Sequence, residues 1–304
     1  MSFKNIIVAG ASGNVGQGVV PVLLQAGLKI TAITREDSKS TFPKEVEVKR
    51  TDYSFESLKS IFHGQDAVVC LVATSGLKAE LTMVDAAAAA GVKWFIPSEF
   101  GHNTSDPRVI ELLPLFSEKV KVVDHLRTKE KDGLSWTGIH TALFFDWGLE
   151  KSTVLGFDLR NKSARLWDGG NNKVCLTNLQ TIALAILHIL TDPATNEETK
   201  NRSVNISTVS TTQSEILAAL EAVSATKWEV AHVTSAEGKQ AGQQKLASGD
   251  PWAFLDILQY IAFGNEELSN WDHKAGAHHL LVKGSEESVS ETVNRVYEKI
   301  NKAA

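Results

Sequence analysis

Short apolar runs alternate with amphipathic stretches over the first half of this chain. Asn5–Ala9, Leu28–Ile33, Val46–Lys49, Ala67–Val72, Trp94–Pro97 and Trp136–His140 read as strands. Helical patterns lie between them. One runs from Asn14 to just before Gly27, and a second, capped by Ser54, ends at Phe62. A third covers Glu80–Ala90 and is closed by Gly91, and a fourth covers about Leu115 to Lys131. Gly27 and Gly91 suit left-handed C-terminal caps. Pro21 removes one helical hydrogen bond, so a local kink is expected there. Near-continuous apolar strands separated by helices predict an α/β fold: a doubly wound, Rossmann-type parallel sheet covered on both faces.

From about residue 152 the repeat becomes irregular. Trp167–Gly170 reads as a turn between two short strands, and Asn178–Thr191 as an amphipathic helix. Ser203–Ser207 is a short strand, Gln213–Ser224 a helix and Trp228–Val233 an alternating strand. Asp250 and Pro251 open a helix that ends before Gly264, and a terminal helix spans about Glu286–Asn301. Residues 1–151 therefore form one unit. Residues 152–304 form mainly a smaller α+β lobe, with about 172–191 returning to the first unit.

The turn after the first strand, Gly10-Ala11-Ser12-Gly13-Asn14-Val15-Gly16, brings in chemistry. Glycines admit close backbone approach, and the unpaired N–H groups of a helix N-terminus attract negative charge. The spacing is G-x-x-G-x-x-G, not the commoner G-x-G-x-x-G. A dinucleotide pyrophosphate fits this turn between strand and helix; a plain strand-to-helix turn is the alternative. After the second strand, where an acidic residue ordinarily binds the ribose 2′-hydroxyl, the chain carries Arg35, with Lys39 nearby. Those charges suit a 2′-phosphate, hence NADPH; a solvated loop is the alternative, since Glu36 and Asp37 follow directly. The loop containing Ala73 and Thr74 lies at a strand's C-terminal end, where open α/β sheets bind ligands.

Lys119 is the second focus. Leu115, Phe116, Val122, Val123 and Leu126 flank it at helical spacings, so it sits within an apolar stripe. Burial would lower its pKa and make it a proton donor or acceptor near neutral pH. The alternative is a stem that packs while the head reaches water. His140 reads as a packed strand residue. Phe144, Phe145 and Trp147 either wall an aromatic pocket or simply fill the core.

Composition narrows the classes. A net charge of −5 gives no general attraction to nucleic acid or anionic membranes. No apolar stretch reaches the length of a membrane span, and the N-terminus lacks the apolar core of a signal peptide. Cys70 and Cys175 lie in apolar runs and read as buried thiols. His278 and His279 stand without a second ligand cluster, so no metal site is expected. A cytoplasmic monomer or homodimer is expected.

GASGNVG at 10–16, Arg35, FIPSEFG at 95–101, Lys119 and SWTGIHTALFFDW at 135–147 resemble the NmrA-like, isoflavone reductase-like branch of atypical short-chain dehydrogenases. The resemblance covers essentially the whole chain. It implies an NADPH-dependent reductase of a small aromatic substrate, with Lys119 as general acid/base beside the nicotinamide. By position, Gly10, Ser12, Gly13, Asn14, Val15, Gly16, Arg35, Lys39, Ala73, Thr74, Ser98, Lys119 and Phe144 would bind the cofactor. Phe100, Gly101, Phe145, Trp147 and Trp252 would line the substrate pocket. Two departures stand out. Val123 and Asp124 replace the paired arginines common in plant members. Leu115 stands where ordinary short-chain dehydrogenases carry a tyrosine, so the lysine would act alone or through a water. A non-catalytic dinucleotide sensor that contacts a protein partner is the other function this family would permit.

Overall fold

The computed structural model describes residues 3–151, 153–250, 253–271 and 278–303. In chain order the first half contains β1 (Asn5–Ala9), α1 (Asn14–Gln25), β2 (Lys29–Arg35), β3 (Glu47–Thr51), α2 (Phe55–Phe62), β4 (Ala67–Cys70), α3 (Leu77–Ala90) and β5 (Trp94–Ile96). Then come α4 (Pro107–Leu112), α5 (Ser117–Lys129), β6 (Ser135–His140), β7 (Leu143–Phe144) and α6 (Phe145–Glu150). The second half contains β8 (Phe157–Asp158), β9 (Ser163–Trp167), β10 (Lys173–Thr177), α7 (Leu179–Thr191), α8 (Pro193–Thr199), β11 (Arg202–Asn205) and β12 (Val209–Thr212). It ends with α9 (Gln213–Ser224), β13 (Glu229–Val233), α10 (Ser235–Ala247), α11 (Ala253–Phe263), α12 (His278–Leu281) and α13 (Val289–Ala303).

A seven-stranded parallel sheet in the order β11-β6-β5-β4-β1-β2-β3 organises the molecule. Strand alternation assigns its two faces. Ile6 and Val8 point to the layer containing α1 and α7, whereas Ile7 and Ala9 point to the layer of α2, α3 and α5. Chain order reverses between β1 and β4. That switch point opens a crevice beyond the strand ends, where the glycine turn and the loop after β4 face each other.

The second lobe has its own core, including Phe157, Trp167, Ile216, Ile257 and Val296. Two three-stranded sheets, β12-β10-β7 and β13-β9-β8, belong to it. The chain passes between the lobes more than once. β10 stays in the small sheet, α7 packs on α1, and β11 returns to the edge of the large sheet beside β6.

Several boundaries differ from the sequence pattern. β2 reaches Arg35 because its ladder with β3 continues to the Arg35–Thr51 pair, whatever the polarity of the side chains. α5 starts at Ser117, not Leu115; Pro114–Phe116 is a separate 3₁₀ turn that leaves Leu115 exposed. α3 starts three residues earlier than expected. The segment 142–147, which follows the Trp136–His140 run, contains β7 and the start of α6. α4, α8, β12 and α10 are additions. α4 carries a clear signal in Asp106 followed by Pro107, an N-cap and N1 pair. Pro251 and Trp252 lie outside the described residues.

Candidate active site

The glycine turn is shaped by packing before any ligand is considered. Gly10 has φ +78°, and a Cβ there would stand 2.4 Å from the Leu71 carbonyl oxygen. A Cβ on Gly16 would stand 2.5 Å from the carbonyl oxygens of Ala11 and Gly10. Both glycines are therefore required by the turn itself, and Gly16 is buried within it. Gly13 differs. Its φ is −76°, its nearest hindrance is the Gly10 oxygen at 3.2 Å, and it is exposed together with Ser12 and Asn14. Gly13 is the N-cap of α1, it supplies no side-chain cap, and no acidic residue occupies the first turn. The first N–H groups of a twelve-residue helix thus present their partial positive charge outward. Val15 is half-buried and packs inward.

Arg35 ends β2 next to this turn. It is highly exposed and lies 3.7 Å from Asp37, itself exposed, a pair worth little against a phosphate. Lys39 is exposed on the same loop. Two residues absent from the sequence reading shape this corner. Arg50, on β3, donates to the backbone oxygens of Arg35, Glu36 and Ser38 at 3.4, 3.0 and 2.7 Å, holding the loop in one form. Ser40 meets Ser12 through their hydroxyls at 3.0 Å and ties the loop to the glycine turn. Only the β2–β3 register places Arg50 beside Arg35, so no linear motif announces it.

Ala73 and Thr74 are exposed on the loop after β4, opposite the turn. The segment after β5 closes the other side. The Ser98 hydroxyl donates to the Val72 carbonyl at 2.7 Å, and the Ser98 N–H donates to Glu80 Oε1 at 2.8 Å. Gly101 accepts from the Thr141 and Ala142 N–H groups at 2.8 and 2.9 Å. This segment is consequently pinned to β4, α3 and the turn after β6.

Lys119 reaches it from α5. The side chain is buried, and Nζ donates to the Glu99 carbonyl oxygen at 2.9 Å. The ammonium lies 5.0 Å from the Phe116 ring centroid and forms no ion pair among the described residues. Burial holds its pKa below the ordinary lysine value, with Glu99 and Glu80 pulling the other way. The stem does not carry the head to water: of the two expectations for this lysine, the buried one is realised. Gly101 lies against the ammonium: a Cβ there would sit 3.7 Å from Nζ, in van der Waals contact with it.

Around Lys119 lies a layer of buried polar groups. The Glu99 carboxylate accepts from Thr104 Oγ1 and lies 3.1 Å from His140 Nε2. Burial works to raise this carboxyl, but His140, Lys119 and Thr104 outweigh it and keep it below the usual value. His140 Nδ1 meets Asn205 Oδ1 at 3.0 Å, so His140 is a packed residue with partners on both sides. His102 Nδ1 meets Ser269 Oγ at 2.8 Å. Burial, reinforced by the Lys119 charge, lowers its pKa to about 3, and the ring stays neutral at ordinary pH.

The aromatic candidates separate. Phe144 and Trp147 are half-buried and pack edge to face, with ring centroids 6.2 Å apart. Phe100 is half-buried against the core of the large sheet. Phe145 is fully buried in the core of the second lobe and faces no open space. Trp252 lies outside the described residues. Cys70 is fully buried, Cys175 is buried, and the described residues contain no cluster able to hold a metal. His278 is buried and meets Ser207. No helix among the described residues is long and apolar enough to cross a membrane.

Comparison with known proteins agrees with this arrangement. The sequence profile of the NmrA-like family matches residues 2–244. The chain is 34% identical over 284 residues to oxidoreductase aprR of Aspergillus flavus, covering 91% of this chain and 93% of that protein. A phenylcoumaran benzylic ether reductase of Pinus taeda is 25% identical over 220 residues, 65% of this chain and 68% of its own length. Among solved structures, leucoanthocyanidin reductase from Vitis vinifera in complex with NADPH superposes with a TM-score of 0.78 at 20% identity, covering 96% of this chain and 99% of its own. The chain belongs to the NmrA-like family.

Proposed function

We propose that the chain is an NADPH-dependent reductase that delivers hydride to an electrophilic carbon of a small aromatic substrate, with Lys119 handling the accompanying proton. One observation carries this reading: a buried ammonium, held by the Glu99 backbone carbonyl, lies against Gly101 in the segment that follows β5. NADPH, when bound, supplies the hydride. Its pyrophosphate would lie on Gly10, Ser12, Gly13, Asn14 and Val15, against the open N-terminus of α1. Gly16 would serve by letting the turn close. Arg35 and Lys39 would meet the 2′-phosphate, and Ala73 and Thr74 would border the nucleotide. Ser98, Lys119 and Phe144 would frame the reacting ring. As a carbon–oxygen electron pair shifts onto oxygen, Lys119 Nζ would give that oxygen a proton, directly or through a water, and would regain one from solvent.

Residues 1–151 would bind the nucleotide, while 152–304 would mainly cover the substrate. The aromatic class is supported by the half-buried rings of Phe100, Phe144 and Trp147, and by the phenylcoumaran and leucoanthocyanidin reductases among the similar proteins. The test is Lys119→Ala, assayed for NADPH oxidation on aromatic ketones, enones and benzylic ethers. Turnover should fall by about 10²- to 10⁴-fold, the usual contribution of a positioned acid or base, while NADPH affinity is kept. Unchanged turnover overturns the role.

A further inference from the structure

Glu80 is a buried group that the reading above leaves unused. It lies in the first turn of α3 and is fully buried. Its Oε1 accepts the Ser98 N–H at 2.8 Å, and its Oε2 is buried with no hydrogen bond of ordinary geometry among the described residues, the Cys70 thiol being the polar side chain that approaches the carboxyl. Most buried carboxyl oxygens have a partner, so an orphaned one asks for a reason.

The connections supply it. Ser98 is followed by Glu99, whose carbonyl holds Lys119 Nζ at 2.9 Å. Glu80 therefore fixes the backbone segment that seats the ammonium. The ionisable groups facing Glu80 come from three other elements: Cys70 of β4, Glu99 of the segment after β5, and Lys119 of α5. Lys119 is the cation among them, and Glu80 in turn acts on Lys119.

Resting on the catalytic reading of Lys119, we propose that Glu80 is a positioning residue with two separable tasks. Through Oε1 it sets the Ser98–Glu99 segment that seats Lys119. Through the sealed Oε2 it gains or loses a negative charge across the Ser98–Glu99 segment from the ammonium, and so sets the pH range in which that lysine turns over. The carboxyl's own proton affinity fits the second task, since burial pushes it up to about 7. Near neutrality the acid is half protonated, and its ionisation would strengthen the lysine's hold on its proton. No proton need pass between the two groups.

Two substitutions separate the tasks. Glu80→Gln keeps a carbonyl acceptor for Ser98 but removes the charge. NADPH affinity and kcat at the optimum should stay near wild type, while the limb of the pH–kcat profile that belongs to Lys119 moves to lower pH by roughly one unit, the size of a nearby counter-charge. Glu80→Leu removes both tasks, and kcat should fall at least tenfold at every pH. A Glu80→Gln profile that superposes on wild type, or a folded Glu80→Leu with full kcat, overturns the proposal. A third measurement needs no turnover. In the infrared difference spectrum of wild type minus Glu80→Gln, a protonated-carboxyl band should be present near pH 5 and vanish through neutrality. Its absence near pH 5 overturns the titrating task. If instead Lys119→Ala turns over normally, the catalytic reading fails while this band still reports on Glu80.

Discussion

Lys119 and Glu80 carry the sharpest consequences because both are charged groups inside the protein. Glu80 makes a stability prediction independent of any reaction. Its carboxyl rises from an ordinary 4.5 to about 7, chiefly through burial. A group raised in the folded state stabilises the fold fully below its unfolded value and loses that contribution as pH rises through the folded one. The rise corresponds to about 3 kcal/mol. Glu80→Gln should therefore be close to neutral in stability near pH 4 and stabilising by up to about 3 kcal/mol near pH 9, read from urea midpoints at the two pH values. Equal effects at both would contradict the sign. Arg35 makes a binding prediction. Arg35→Glu should reduce NADPH affinity relative to NADH by about 10- to 100-fold, the range for one charge-assisted hydrogen bond. Comparative titration of the two nucleotides measures it, and an unchanged ratio removes Arg35 from the 2′-phosphate site.

At the scale of elements, the turn between β1 and α1 divides its glycines into two kinds. Gly10 and Gly16 are demanded by backbone packing, while Gly13 sits exposed at the helix N-terminus with an ordinary φ. Gly16→Ala must move the backbone carbonyls of Gly10 and Ala11, and should lower stability by about 2–4 kcal/mol. Gly13→Ala has only the Gly10 oxygen at 3.2 Å to accommodate. It should cost under about 1 kcal/mol and yet weaken NADPH binding at least tenfold, because its methyl occupies the face that the pyrophosphate would approach. Thermal unfolding of the apoprotein and nucleotide titration give the two readings. A Gly13 variant that binds normally would place the phosphates elsewhere. α5 shows the same separation of pattern from placement. Its periodicity marks Lys119 as inward, yet only the 3₁₀ turn before it puts Phe116 rather than Leu115 beside the ammonium.

In the whole molecule, the two lobes meet where α6, α7 and α13 converge. Asp146 is the fastening. Its Oδ1 accepts from the N–H groups of Trp147 at 2.8 Å and Leu179 at 3.1 Å, capping α7 from another element, and its Oδ2 faces Arg295 of α13 at 3.4 Å. Asn178 adds bonds to Glu287 and Thr292 at 2.6 and 2.8 Å. α7 in turn packs on α1, with the Gly18 position 3.6 Å from Leu179 Cβ. Asp146→Ala leaves the Leu179 N–H, the first donor of α7, without its carboxylate and takes one of two acidic partners from the exposed Arg295, and should cost about 1–3 kcal/mol. A urea midpoint that does not fall would show that the lobes hold together without it.

How much was legible beforehand follows from the range of the forces involved. Local sequence determined the strands of the large sheet, because an apolar run between turn residues has one economical use in a parallel sheet. It also determined the glycine turn, because glycine is the residue that survives there without a clash, and the inward position of Lys119, because helical periodicity fixes a face. Tertiary structure alone decided the rest. Arg50 braces the Arg35 loop only through strand register, and Ser40 meets Ser12 only after the loop folds back. Glu80 reads as a polar residue opening an alanine-rich helix until Ser98 is laid against it. Phe145 falls in the core of the second lobe and its neighbour Phe144, half-buried, against the large sheet, because a helix begins between them. Periodicity says which way a side chain points; what it meets there depends on elements distant in sequence, whose approach only the packed chain defines.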